Sequence, residues 1–405
     1  METLLLPPPL ATTPLDALLT TIADYLNAPA ANTLRTFGVA SGKGGTILFN
    51  CHYAAFTGDA AYYERALAEL EEVLAAINPR TYKADFSSNY YQELAELGCL
   101  LIYLTGHGHL DWDAEPLLRQ FDGLLEDRLR EHLAARNFER TSGALSCGAY
   151  FLRRLPRSEH ARLLLEELLD ALVQARQGDE ASGYYWLCLV IAEPRAYTGL
   201  SHGSAMILSF LADLHAAGIR PAACAELLRH GTTWLLAARM DPDRYLSSFP
   251  LWAGKTDPTN NLCLIYGDLG TAYGLLRAAT TLADDVAREA AIAVVRRTLP
   301  RRSLAHTHIQ DASVFYGAAG TYLLYDAIYR QTRVPEFAQA ADYWLARIPG
   351  LATQANEYLG FTPRFYAHYP AAQLGVSFGV VGIGLTLLQA QSGGHYALTD
   401  FIGLS

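Results

Sequence analysis

The chain has 405 residues, 51% of them hydrophobic, with 31 Lys and Arg against 41 Asp and Glu, a formal net charge of −10. That is enough apolar material for a substantial core, and an acidic chain without a basic tract is a poor partner for nucleic acid. The six cysteines stand in apolar contexts with no CxxC pair, which predicts reduced core thiols of a cytosolic protein rather than a disulfide frame. The opening METLLLPPPL lacks the basic flank and apolar length of a signal peptide, and no apolar run is long enough for a membrane span. A soluble, cytoplasmic protein is expected.

Taken in order, Thr13 and Pro14 cap a helix with Leu15, Leu18, Leu19, Ile22 and Leu26 on one face. Gly42, Gly44 and Gly45 then form a turn into an apolar helix, TILFNCHYAAF, and Asp59 starts an amphipathic one with Leu67, Leu70, Leu74 and Ile77 aligned. A loop, NPRTYKADFSSNYY, leads into ELAELGCLLIYLTGHG, with Gly98 near its head, and Glu115 to His132 is amphipathic again. TSGALSCGAYFLRRL, with Gly143 and Gly148, precedes an amphipathic stretch over 158–176. YTGLSHGSAMILSFLADL, from Tyr197 to Leu214, repeats the pattern of glycine turn and apolar helix, and Pro221 opens its amphipathic follower. IYGDLGTAYGLLRAA is followed by 282–297, FYGAAGTYLLYDAIY by Pro335 to Arg347, and FGVVGIGLTLLQA comes last.

About seven apolar helices headed by glycine thus alternate with amphipathic ones at a period of roughly 50 to 60 residues. The apolar helices need burial all round, and the amphipathic ones have one solvent face. No alternating β pattern competes. An inner ring of helices inside an outer ring satisfies both kinds, so the predicted fold is an all-α toroid. The whole chain is expected to be one such domain, with residues 1–36 as a helical lead-in. A site is expected where the inner-helix heads crowd together.

GLSHGSA, IYGDLGTA, QDASVFYGAAG and FGVVGIGL, in this order, resemble the motifs of the lanthionine synthetase C-like family. The resemblance implies the seven-layered α/α toroid. It also implies chemistry on a ribosomal precursor peptide, in which a cysteine thiol adds to a dehydrated Ser or Thr. Family cyclases activate that thiol with a zinc ion held by two cysteines and a histidine, and a further histidine handles the proton. His202 matches that proton-handling position. The first ligand cysteine corresponds to Ile265, and the other two ligands to Phe315 and Tyr316. No zinc is therefore expected there, because Ile and Phe offer no lone pair; a rescue through Cys263, His306 or His308 would need two loops to reconverge on tetrahedral geometry. The family arginine appears as Asn261, and its aspartate corresponds loosely to Glu139. Tyr266 matches.

The candidate catalytic residues are therefore His202, Tyr266, Tyr316 and Glu139, with Asn261, Asp268, Asp311, Phe315 and Ile265 as candidate cavity residues. Each has a plainer reading. His202 serves equally as a helix cap, the tyrosines as packing, and Asp268 and Asp311 as N-caps or loop-fixing carboxylates. His202 at a helix head is expected to be neutral, since the positive helix end disfavours imidazolium. Three functions remain open. The protein is a metal-independent cyclase or a degenerate family member, or a scaffold binding a leader peptide, a dehydratase or a second cyclase. The third is a sugar-active α/α barrel, for which no facing carboxylate pair is evident.

Overall fold

The computed structural model describes residues 14–28, 33–86, 88–191, 193–255, 260–396 and 398–404. Thr13 and the METLLLPPPL stretch lie outside them. The helices are α1 (Leu15–Leu26), α2 (Lys43–Thr57), α3 (Ala60–Ala76), α4 (Tyr90–Gly106), α5 (Glu115–Ala134), α6 (Ala144–Arg154) and α7 (Glu159–Ala175). A short hairpin follows, β1 (Gln177–Asp179) paired antiparallel with β2 (Gly183–Tyr185). Then come α8 (Ser204–Ala216), α9 (Pro221–Ala237), α10 (Asp268–Leu282), α11 (Asp285–Thr298), α12 (Leu304–Thr307), α13 (Ala318–Thr332) and α14 (Pro335–Arg347). The chain ends with α15 (Pro370–Leu374), α16 (Val380–Gln391) and α17 (Thr399–Ile402). The hairpin and the short α12, α15 and α17 are additions to the sequence reading.

The two helix kinds separate by burial as the periodicity requires. In α8 every residue from Ser204 to Ala212 is buried, whereas α3 buries only Ala66, Leu70 and Val73. Each buried Leu, Ile or Phe contributes roughly 1.5–3 kcal/mol through area removed from water. The chain divides into two compact units. One holds Asp122–Ile309 and Leu324–Gln339, where α6 packs on α7, α8 on α9, and α10 on both α8 and α11. The other takes the rest, where α2 packs on α3, α4 and α16. There α1 packs against α16 as well as α2, so it is the outer partner of the last buried helix as well as a lead-in.

One backbone device recurs at the heads of the buried helices. The residue after the head glycine donates its N–H to a carbonyl seven positions back: Lys43 to Thr36, Ala144 to Asn137, Ser204 to Tyr197, and Ala318 to Asp311. The glycine lies flat against that returning loop. A Cβ at Gly203 would meet Gly199 N at 2.6 Å, and one at Gly317 would collide with Asp311 Oδ1 and Ser313 N. Gly267 adds a φ of +109°, open only to glycine without strain. α4 departs from the expected pattern. Its head is Asn89, whose side chain accepts from Gln92 N, and Gly98 lies inside the helix. A short polar side chain replaces the glycine because it satisfies a free N–H itself.

Buried carboxylates hold the loops in place. Glu93 accepts from Phe37 N and Gly38 N at 2.8 and 3.0 Å. Asp268 accepts from Ser248 N and Phe249 N and pairs with Arg301 at 2.8 Å, both side chains 1% exposed. Asp311 accepts from Ser313 N, Ser313 Oγ and Arg364 N. Among the described residues no helix is long and apolar enough to cross a membrane.

Candidate functional site

The loop entering α8 places His202. Gly203 is the N-cap residue, and His202 just before it takes a left-handed φ of +63°. The loop is pinned from two sides, by Thr198 N donating to Leu251 O and by Ser201 N donating to Ile265 O. The backbone that carries His202 is thereby fixed at the helix entry.

Glu139 comes from the equivalent loop before α6. Asn137 shapes that loop, accepting from Glu139 N through Oδ1 and donating to Ser142 O. Gly143 presses so closely on Asn137 and Glu139 that a Cβ there would collide with Asn137 Oδ1. The result is a buried Glu139 carboxylate, 6% exposed, whose Oε2 accepts from His202 Nδ1 at 2.7 Å. Its other oxygen, Oε1, accepts from the thiol of Cys188 at 3.2 Å. Cys188 is 5% exposed and sits where the chain folds back, its backbone paired with Arg195. Glu139, Cys188 and His202 bring one possible ligand atom each to within 4.8 Å of one another. A cavity of about 10 Å³ lies against all three, room for one water-sized sphere.

The electrostatics reverse the expectation of a neutral imidazole. Burial alone lowers the pKa of His202, but hydrogen bonds with Cys188 and Glu139 and the charge of Glu139 outweigh it and raise the group to about 9. A full carboxylate charge in contact exceeds the half charge of a helix end. The carboxylate in contact favours the imidazolium form, whose N–H groups are proton donors. Tyr266 lies beside it, ring centroids 6.2 Å apart, and burial pushes its phenol up to about 12 despite a hydrogen bond with Ser201.

The remaining candidates fall into distinct settings. Ile265 is half-buried and contributes its backbone carbonyl to the His202 loop. Asn261 is half-buried, its carbonyl accepting from Arg301 at 3.3 Å. Asp268 is the first residue of α10 and wholly engaged with Arg301 and the 248–249 loop. In the other unit Asp311 fixes its own loop, and Phe315 and Tyr316 stand just before α13 in an aromatic group. Phe315 meets Phe378 edge-on at 5.3 Å, and Tyr316 meets Phe365 at 4.6 Å and Phe378 at 6.0 Å. Cys263 is buried with its thiol toward Tyr266 O, at 3.4 Å.

Cys188 went unrecognised in the sequence, where it looks like the other five apolar-context cysteines. Only Trp186 and the Gly183-Tyr-Tyr turn upstream mark the segment as other than helix.

The family model described as "Lanthionine synthetase C-like protein" matches residues 35–400. Among solved structures, one titled "Nisin cyclase" superposes with a TM-score of 0.73 at 14% identity, covering 96% of each chain. A search of curated proteins by sequence gave no match. The fold is accordingly the all-α toroid. The chain belongs to the lanthionine synthetase C-like family.

Proposed function

We propose that this protein is a thioether cyclase of the lanthipeptide type, acting on a ribosomal precursor peptide without zinc at the position its family uses. The observation that carries the reading is the ion pair at 2.7 Å between the half-buried His202 and the buried Glu139. Ile265 and Phe315 lack any lone-pair donor, and one phenol from Tyr316 does not make a zinc site.

The chemistry left to the chain is proton delivery. A substrate cysteine thiolate attacks the β-carbon of a dehydroalanine or dehydrobutyrine. The C–S bond forms as the electron pair of the double bond moves toward the carbonyl, giving an enolate. His202, held as imidazolium by Glu139, gives its proton to the α-carbon and recovers one from water, into which the thiol proton was released. General acid catalysis of this kind contributes about 10²- to 10⁴-fold. An unassisted thiol is only a few per cent thiolate at neutral pH, a deficit of roughly 30-fold that positioning can return.

The test is ring formation in a dehydrated peptide carrying one cysteine and one dehydroalanine, with chelator present and a no-protein control at the same pH. Thioether accumulating faster than in buffer supports the reading. No acceleration with a confirmed dehydrated peptide overturns it and leaves a peptide-binding or partner-binding role.

A further inference from the structure

We propose that Glu139, Cys188 and His202 form a binding site for one thiophilic divalent cation of the zinc or cobalt(II) class, separate from the position where the family holds its zinc. The family ligands correspond to Ile265, Phe315 and Tyr316, and none of the three proposed here is among them. This inference concerns binding and stands apart from whether the chain makes rings.

The donors suit such an ion. Thiolate, imidazole and carboxylate are the three ligand types zinc takes, with bonds of about 2.0–2.3 Å. Tetrahedral angles then place neighbouring ligand atoms roughly 3.3–3.8 Å apart. The present contacts are 2.7 Å from His202 Nδ1 to Glu139 Oε2 and 3.2 Å from Cys188 Sγ to Glu139 Oε1, two different oxygens of one carboxylate, and one ligand atom from each residue lies within 4.8 Å of the others. Opening the Glu139–His202 contact by several tenths of an ångström admits the ion. The adjoining cavity of about 10 Å³ already marks a space the size of a single small sphere.

Charge balances as well. A dication with one thiolate, one carboxylate and one neutral imidazole is net neutral, which a buried site requires. A sulfur donor selects zinc, cobalt(II) or cadmium over magnesium or calcium. Three protein ligands leave one tetrahedral position for water, as in catalytic rather than structural zinc sites. The same imidazole edge cannot hold a proton for Glu139 and a metal at once. The loaded form is therefore a second state of the site in which the Glu139–His202 ion pair is absent.

The full chain, reduced and stripped of metal, is titrated anaerobically with cobalt(II). The expected result is one cobalt per chain, with a thiolate-to-cobalt charge-transfer band in the near ultraviolet and intense ligand-field bands of tetrahedral geometry. Cys188→Ser should abolish the charge-transfer band, and Cys263→Ser should leave it unchanged. If Cys188→Ser fails to melt cooperatively, Glu139→Gln decides, with affinity weaker by at least about tenfold. A folded wild type giving no thiolate band overturns the proposal. So does a band that survives Cys188→Ser or disappears with Cys263→Ser, or an affinity that Glu139→Gln leaves unaltered. None of these readouts depends on ring formation, so this inference and the cyclase reading fail separately.

Discussion

The loops entering α8 and α13 are built alike and filled differently. At both, a glycine lies against a loop that returns six or seven residues, and the next N–H closes it. Before α8 the turn ends in His202, which meets a carboxylate and a thiol from two other loops. Before α13 it ends in Phe315 and Tyr316, which meet Phe365 and Phe378. The family resemblance implies metal-ligand positions in the second loop and a proton carrier in the first. The difference teaches that a repeated backbone fixes where a side chain is presented, while the chemistry is set residue by residue.

The buried carboxylates at the heads of α10 and α13 are held differently too, and this gives the largest expected effect. Asp268 is paired with a buried guanidinium, whereas Asp311 is held by hydrogen bonds from neutral donors, with the Arg364 charge also acting on it. Arg301→Ala strands a buried carboxylate and should destabilise the fold by about 3–5 kcal/mol in urea unfolding. Asp311→Asn, which turns one acceptor into a donor facing an N–H, should cost about 1–3 kcal/mol. Equal losses would erase the distinction between the two frameworks.

Next come the head glycines. Valine at the head glycines Gly203, Gly267 and Gly317, or at Gly382 in the first turn of α16, should lower stability by more than about 1 kcal/mol, since a Cβ at each meets backbone. Unchanged melting in all four variants would contradict the shared device.

The smallest effect is in pH. Because the pKa of His202 is raised from 6.5 to about 9, the native state holds its proton more tightly than the unfolded chain. The stability this adds is complete below about pH 6.5 and lost as pH rises through about 9. Its upper bound is roughly 3 kcal/mol, and partial exposure of the ring reduces it. The stability gap between wild type and His202→Asn should therefore narrow across that window. A gap that stays flat between about pH 6.5 and 9 would mean a neutral imidazole.

Much of the fold is legible in the sequence because helix burial writes a period into it. Ser204–Ala212 reads as apolar apart from two serines and is buried throughout, and Asp59, Pro221 and Gly203 mark helix starts where the chain places them. The α4 head was not legible, since Gly98 draws the eye from the capping Asn89. At the site, the GLSHG turn announces His202 without its partners. Glu139 and Cys188 are 63 and 14 residues away, brought in by two loops whose return no local pattern records. The protonation state was misjudged for the same reason. A helix end is visible in sequence, whereas a carboxylate at 2.7 Å is visible only in three dimensions.

The central claim is that the His202–Glu139 pair delivers a proton in ring formation. The direct measurement compares wild type and His202→Asn on one dehydrated, cysteine-bearing peptide, following free thiol by alkylation and mass beside a no-protein control. His202→Asn should lose about 10²-fold or more of the acceleration while peptide affinity stays nearly unchanged. Wild-type acceleration that persists undiminished in His202→Asn would contradict the account.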